Sequence, residues 1–210
     1  MPIPAQATWM VRMIIEARHV LTQSQLVLRN NKSVIRQFYL HLIGQQERTS
    51  WKSLMFQNTA TAKAKFTMWL HFHGKMLTSD RLIKWGISAD PRCVLCQKLN
   101  KTRNHLFAEC HYTRGLWNRV LTWLNRAPYT ATTEAQYMNW LLSHSRGKSQ
   151  NAAVFKMVLA EIVHGVWTER NLRIFEKRSR SIEESARLVA CTCNIRAVTG
   201  TRMLLQRLVF

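Results

Sequence analysis

Between Cys93 and Cys110, in "CVLCQKLNKTRNHLFAEC", three of the chain's five cysteines and one histidine fall within eighteen residues. As a pattern this is C-x2-C-x8-H-x4-C, formed by Cys93, Cys96, His105 and Cys110. A C-x2-C turn brings two thiolates to one point, and "RNHLFAEC" adds a nitrogen and a third sulfur, the donor set of a tetrahedral zinc site. Four protein donors fill that shell and leave no position for water, so a Zn2+ held this way is structural and not hydrolytic. The spacing also contains a conflict. Positions five apart on an ideal α-helix stand about 140° out of line. Cys110 must therefore leave the helix that carries His105, or the turn between them must be irregular. His111 lies next door as an alternative fourth donor; Cys110 is preferred because H-x4-C is the spacing used by retroviral-type zinc knuckles.

Two rival readings fit less well. A redox pair needs its C-x-x-C at the opening of a helix beside a βαβ pattern, and neither is seen. A chance group of buried thiols sits poorly with the polar "QKLNKTRN" between them. Cys191 and Cys193, in "ACTCN", lie two apart on an expected helix and so point about 200° apart, which suits buried or half-buried thiols and not a shared ion. His71 and His73, in "LHFHG", are spaced the same way, while His19, His41, His144 and His164 are isolated. Five cysteines, an odd number, with no secretory leader point to a reducing, intracellular setting, nuclear or cytoplasmic. In "MPIPAQATWMVRMIIEARHVL", Arg12, Glu16 and Arg18 interrupt the apolar run, which excludes a signal-peptide core or a membrane span.

The remainder reads as helix. Trp9, Met13, Ile14, Ala17 and Leu21 recur at helical spacing, as do Ile35, Phe38, Tyr39 and Leu42 in a second helix from about Ser33 to Ile43. "GQQERTS", Gly44 to Ser50, is a polar break. A short helix in "AKAKFTMWLHFHGK" ends near Gly74, and "LTSDRLIKWG" places Thr78 as N-cap, Asp80 in the first turn and Gly86 just past the end. Asp90 before Pro91 favours an extended or turn-like segment. "TRGLWNRVLTWLNR" puts Leu116, Val120 and Trp123 or Leu124 in register. Further helices are expected at about Thr133–His144 and Asn151–Lys177, and a last one opens at Ser181 with the capping-box pattern "SIEE". No alternating run long enough for a strand appears, so the fold class is all-α, a helical domain with a small zinc-knuckle insertion. Residues 1–48 read as an N-terminal helical segment, 49–126 as the knuckle-bearing domain and 127–210 as a C-terminal helical region.

Charge sets the class of partner. Thirty-one Lys and Arg oppose eleven Asp and Glu, a formal +20 with a pI near 10.8. Such a field attracts polyanions, and RNA or single-stranded DNA is the expected one. A membrane partner is not expected, because the basic residues are spread along the chain and not gathered beside one amphipathic anchor. Lys98, Lys101 and Arg103 on the knuckle loop, with Lys63, Lys65, Lys75, Arg81 and Lys84 ahead of it, are the candidate phosphate contacts; Trp69 and Trp85 are candidates for stacking bases, although tryptophans at helical spacing more often serve a core. The chain's two aspartates, Asp80 and Asp90, cannot build a two-metal phosphoryl-transfer centre. With no phosphate-binding glycine loop and no G-x-S-x-G elbow, the chain reads as non-catalytic.

The run "WKSLMFQNTATAKAKFTMWLHFHGKMLTSDRLIKWGISADPRCVLC", followed by "HLFAEC" and "LWNRVLTWL", resembles the zinc-binding domain found C-terminal to the reverse transcriptase of plant LINE-type (non-LTR) retrotransposons. The likeness rests on Trp51, Lys65-Phe66 with Trp69, "GKMLTSDRL", "WGI", the Cys93/Cys96 pair, His105-Leu106-Phe107, Cys110 and Trp117, and covers roughly residues 49–126. "ATWMVRMIIEAR" and "VWTERNLRIFE" are weaker echoes of the segments that flank that domain. Lys101 stands where the family usually has an acidic residue, and the proline common ahead of the Lys-Phe-Trp helix is missing from Asn58–Ala62. The resemblance implies zinc binding and, in a parent element, the holding of template RNA or target DNA beside the reverse transcriptase domain. A protein-interaction module and a decayed retrotransposon fragment are the alternatives.

Overall fold

The computed structural model describes residues 49–206 except 89, 91, 98–101 and 103, together with 208 and with 8, 9, 12, 15, 36, 37, 39, 40, 44. The chain divides into two compact units, Met1–Arg48 and Thr49–Phe210. In the first unit, Trp9, Arg12, Ile15, Arg36, Gln37, Tyr39 and Leu40 are helical, inside the two helices expected there. The other positions of those two expectations lie outside the described residues.

The second unit is built from helices: α1 (Lys52–Met55), α2 (Ala62–Phe72), α3 (Ser79–Lys84), α4 (His111–Trp123), α5 (Glu134–His144), α6 (Gln150–Asn171), α7 (Ile182–Arg196) and α8 (Thr199–Leu205). Two π-turns, His105–Glu109 and Leu172–Glu176, lead into α4 and extend α6. The described residues contain no strand, so the protein is all-α. None of their helices is long and apolar enough to cross a membrane.

Local chemistry explains the boundaries. Thr61, Thr133 and Ser149 accept hydrogen bonds from the backbone N–H of Ala64, Gln136 and Ala152 and so cap α2, α5 and α6. Ser181 and Glu184 form the full capping box that opens α7, with the Ser181 N–H donating to Glu184 Oε2 at 2.7 Å and the Glu184 N–H to Ser181 Oγ at 3.1 Å. Thr78 precedes α3 as expected, but its hydroxyl makes no cap bond. Asn58 ties down the chain entering α2. Its side chain accepts from the Ala60 N–H at 3.0 Å and donates to the Lys156 carbonyl at 2.7 Å.

Packing centres on Trp117, Phe107, Phe155, Leu121, Leu141, Met157 and Ile162, all fully or almost fully buried. The rings of Trp140, Tyr129 and Phe155 lie 5.0, 6.0 and 6.1 Å from that of Trp117. Helix α2 packs along α6, and α4 and α6 both pack on α7. Gly115 faces α7 where the two helices meet; a Cβ built there would stand 2.6 Å from Ile182 Cδ1, the tip of a side chain that would have to move. Residues of both 49–126 and 127–210 contribute to one buried core.

Candidate metal centre

Two irregular turns build the centre. In the first, the Gln97 N–H donates to the Cys93 carbonyl at 2.7 Å, with Gln97 in the left-handed region at φ 58°, and the turn curls Cys93 and Cys96 toward one point. In the second, the Cys110 N–H reaches the His105 carbonyl at 2.7 Å. That i→i+5 bond defines a π-turn, and the extra residue per turn swings position 110 back over position 105. The irregular turn demanded by the H-x4-C spacing is therefore present. Cys110 then leaves the helical path, at φ −59° and ψ 129°, and becomes the N-cap of α4.

A π-turn leaves carbonyls out of ordinary α-helical register, and side chains take up that slack. Thr113 Oγ1 donates to the Leu106 carbonyl at 2.7 Å, and Tyr129 Oη to the Ala108 carbonyl at 3.1 Å. The His105 N–H donates to Thr102 Oγ1 at 3.0 Å. Leu106, Phe107 and Ala108 are buried, so the turn is anchored in the core by the residues between its two donor positions.

The Sγ atoms of Cys93, Cys96 and Cys110 and a ring nitrogen of His105 all lie within 4.8 Å of one another. The Cys93 and Cys110 sulfurs are 3.9 Å apart, and Cys96 Sγ is 3.2 Å from His105 Nε2. With Zn–S near 2.3 Å and Zn–N near 2.0–2.1 Å, the edges of a tetrahedral shell come to about 3.8 Å and about 3.6 Å. The donor set and its spread thus fit a zinc ion. The cysteines are free thiols, and 3.9 Å is far beyond an S–S bond. Cys93, Cys110 and His105 are buried, and Cys96 is half-buried.

The Cys93 and Cys110 thiols share a hydrogen bond between their sulfurs. The hydrogen bond from Cys110 pulls the Cys93 thiol well down toward the thiolate, with help from the backbone N–H groups of Cys96 and Leu95 and against the effect of burial. The same hydrogen bond, followed by burial and by the charge on Cys93, pushes the Cys110 thiol up. A divalent ion can take the place of that proton. On the far side of the imidazole, His105 Nδ1 lies 3.9 Å from Glu109 Oε2, four residues on. That distance is too long for a hydrogen bond, and the buried Nδ1 has no hydrogen-bond partner.

One brace was not foreseen from sequence. Arg173 donates through Nη1 to the Leu95 carbonyl at 3.0 Å and to the Val94 carbonyl at 3.4 Å, holding the C-x2-C turn from behind. Its Nε bonds Glu169 Oε1 at 2.6 Å, its Nη2 donates to the Arg180 carbonyl, and the guanidinium covers the Tyr112 ring at 4.9 Å. Glu169 is completely buried and also accepts from the Arg180 N–H. The available signal was "VWTERNLRIFE" itself, in which Glu169 and Arg173 stand one helical turn apart.

The other expected residues are distributed as follows. His111 is exposed and stands outside the cluster. Cys193 is buried, while Cys191 is exposed, so for Cys191 the expectation of at least partial burial needs correction: it lies on the solvent side of α7. His71 packs against Phe107 at 4.2 Å, His73 against Trp69 at 4.5 Å, and the two do not converge. His164 meets Thr67 Oγ1 at 3.0 Å and His144 the Trp140 carbonyl at 2.9 Å; His19 and His41 lie outside the described residues. Lys63, Lys75 and Lys84 are exposed and Lys65 is half-buried. Arg81 is partly committed, donating to the Gly74 carbonyl at 2.8 Å and covering the Trp85 ring at 4.9 Å. Lys98, Lys101 and Arg103 lie outside the described residues. Trp69 and Trp85 are 40% and 56% exposed, so neither is a core tryptophan.

Residues 34–117 match the family described as zinc-binding in reverse transcriptase. The matched stretch contains all four cluster residues, so over residues 34–117 the chain is similar to a reverse transcriptase zinc-binding domain. No curated protein and no solved structure matches it.

Proposed function

We propose that this chain is a non-catalytic nucleic-acid-binding module whose shape is fixed by one Zn2+ held by Cys93, Cys96, His105 and Cys110. The observation that carries the reading is the convergence of four N/S donors from two irregular turns, on a chain with a formal charge of +20. Zinc supplies a fixed crosslink between the two turns. The chain's own residues do the rest: Arg173 sets the first turn, and exposed cations, Lys63, Lys75 and Lys84 among them, meet phosphates. The likeness to the zinc domain of plant LINE-type elements supports RNA or single-stranded DNA as the ligand, held beside a reverse transcriptase domain in a parent element.

The test has two parts. Native mass spectrometry should find one zinc per wild-type chain and none in Cys93→Ser. Anisotropy titrations with a labelled single-stranded RNA should show affinity falling with salt, by about 0.7 in log K per tenfold salt for each phosphate contacted. A flat salt response would defeat the phosphate-contact reading whatever the zinc content. Docking on a polypeptide is favoured by one observation, the exposure of Leu77, Ile83, Trp85 and Ile87 within one short stretch. Charge reversal at Lys63, Lys75 and Lys84 separates the two, because RNA binding lost with the fold intact favours the first.

A further inference from the structure

Beside the metal centre lies a groove of about 990 Å³, bounded by the segment from Leu77 to Ser88, the Cys93–Gln97 turn and the C-terminal end of α6. The volume is at the upper end of the ~300–1,000 Å³ usual for ligand sites. Its apolar lining includes Leu82, Val94, Trp167 and Ile174. The π-turn after α6 buries Leu172 yet turns Phe175 outward, so that its ring lines the groove while remaining 75% exposed.

The charges in the groove do not cancel. Asp90 pairs with Arg92 at 3.5 Å and Glu169 with Arg173 at 2.6 Å. Arg170 and Lys177 also line it, and among the described residues no carboxylate pairs with either. Arg170 is only 5% exposed, and a buried cation lacking a counter-ion is costly. Its guanidinium is partly satisfied by the Leu77 carbonyl at 3.0 Å, Asn171 Oδ1 at 2.7 Å and the Trp167 ring at 4.6 Å, but its Nε–H has no acceptor. All of these acceptors are neutral. Burial, with nothing opposing it, disfavours the charge. An anion in the groove would offset that cost.

We infer that the groove seats a short unpaired stretch of RNA or single-stranded DNA, with a phosphate beside Arg170 and Lys177 and a base against the Phe175 ring. The inference rests on the nucleic-acid reading above and gives it a location. A cation next to an outward aromatic, on a strongly basic chain, is the pairing that single-strand binders use, since every base has a face to stack and every nucleotide a charge to neutralise. An acidic peptide would satisfy Arg170 but gives no comparable reason for an outward ring at the mouth.

The experiment uses the full, zinc-loaded chain and a fluorescently labelled twelve-nucleotide oligouridine in anisotropy titrations. Phe175→Ala should weaken binding about tenfold, with Phe175→Tyr restoring it because the ring is kept. Lys177→Glu should weaken binding and lower the magnitude of the salt slope by about 0.7, one single-strand phosphate contact. Circular dichroism and zinc content should stay at wild-type values in all three, since both side chains are exposed. If wild type binds in a salt-dependent way and neither Phe175→Ala nor Lys177→Glu changes the affinity, the groove assignment is overturned and the broader reading stands. A loss with Lys177→Glu alone overturns the base seat. If wild type does not bind at all, both readings fall.

Discussion

The knuckle and the aromatic core lie side by side in one unit, yet they solve the problem of holding a chain in place differently. Around Trp117, Tyr129, Trp140 and Phe155, regular helices bring rings together and apolar burial does the work. At Cys93–Gln97 the turn is a left-handed kink with buried Cys93 and Leu95, fixed by a guanidinium on its carbonyls and by sulfurs facing one another. A few residues of turn cannot bury enough apolar area to hold themselves, so this part leans on polar braces and, in the function proposed above, on a metal crosslink, whereas the core needs neither. Losing the metal and losing a ring should therefore be separable injuries.

The largest expected effect is removal of the ion. Chelation, or Cys93→Ser, should strip hydrogen-exchange protection from the amides of residues 93–97 while far-ultraviolet circular dichroism of the helices changes little. An apo protein with those amides as protected as in the zinc form would break the contrast between the regions. The next is Phe155→Ala, which should cost about 3–5 kcal/mol in denaturant unfolding and leave zinc stoichiometry at its wild-type value. Smaller again is Arg173→Lys. It keeps the charge beside Glu169 but cannot reproduce the fork that reaches the Val94 and Leu95 carbonyls. A competition titration with a chelator should show zinc held about 10- to 100-fold more weakly.

The smallest effect concerns the α4–α7 seam. Arg119 lies 2.7 Å from Glu183 and holds its carboxyl below the usual range, with Arg187 contributing less. The stability this pair adds is present above the ordinary carboxylate pKa and is lost as pH falls through the lowered folded value. Arg119→Gln should lower the thermal midpoint slightly at neutral pH, with the difference from wild type vanishing as the pH falls through the carboxylate range, and the metal should be unaffected.

Much of the helical frame was legible because its causes are local. Ser181 with Glu184, Thr133 and the Leu116/Val120/Trp123/Leu124 register are each read from neighbours in the chain, and the structure puts all four of those apolar residues inside. The α6 helix stops as a regular helix at Asn171 and continues as a π-turn to Glu176, with Lys177 left-handed at φ 56°, a change of winding that apolar spacing does not announce. Helices α1 and α8 went unseen because four and seven residues are too few to show a period. At the metal centre, the spacing of His105 and Cys110 announced an irregular turn, though not which kind. Arg173 was invisible as a brace because its acceptors, Val94 and Leu95, are 79 and 78 positions away.

The extra residue wound into the His105–Glu109 turn reaches beyond the two donors that flank it. Each residue added to or taken from a helix rotates everything downstream by about 100°. A single-codon deletion inside this turn could restore ordinary winding and still leave the imidazole and a thiol near each other. It would also dial α4 around its axis, carrying Gly115 away from Ile182 and Trp117 away from its ring partners. The segment should therefore accept changes of residue type far more readily than any change in length.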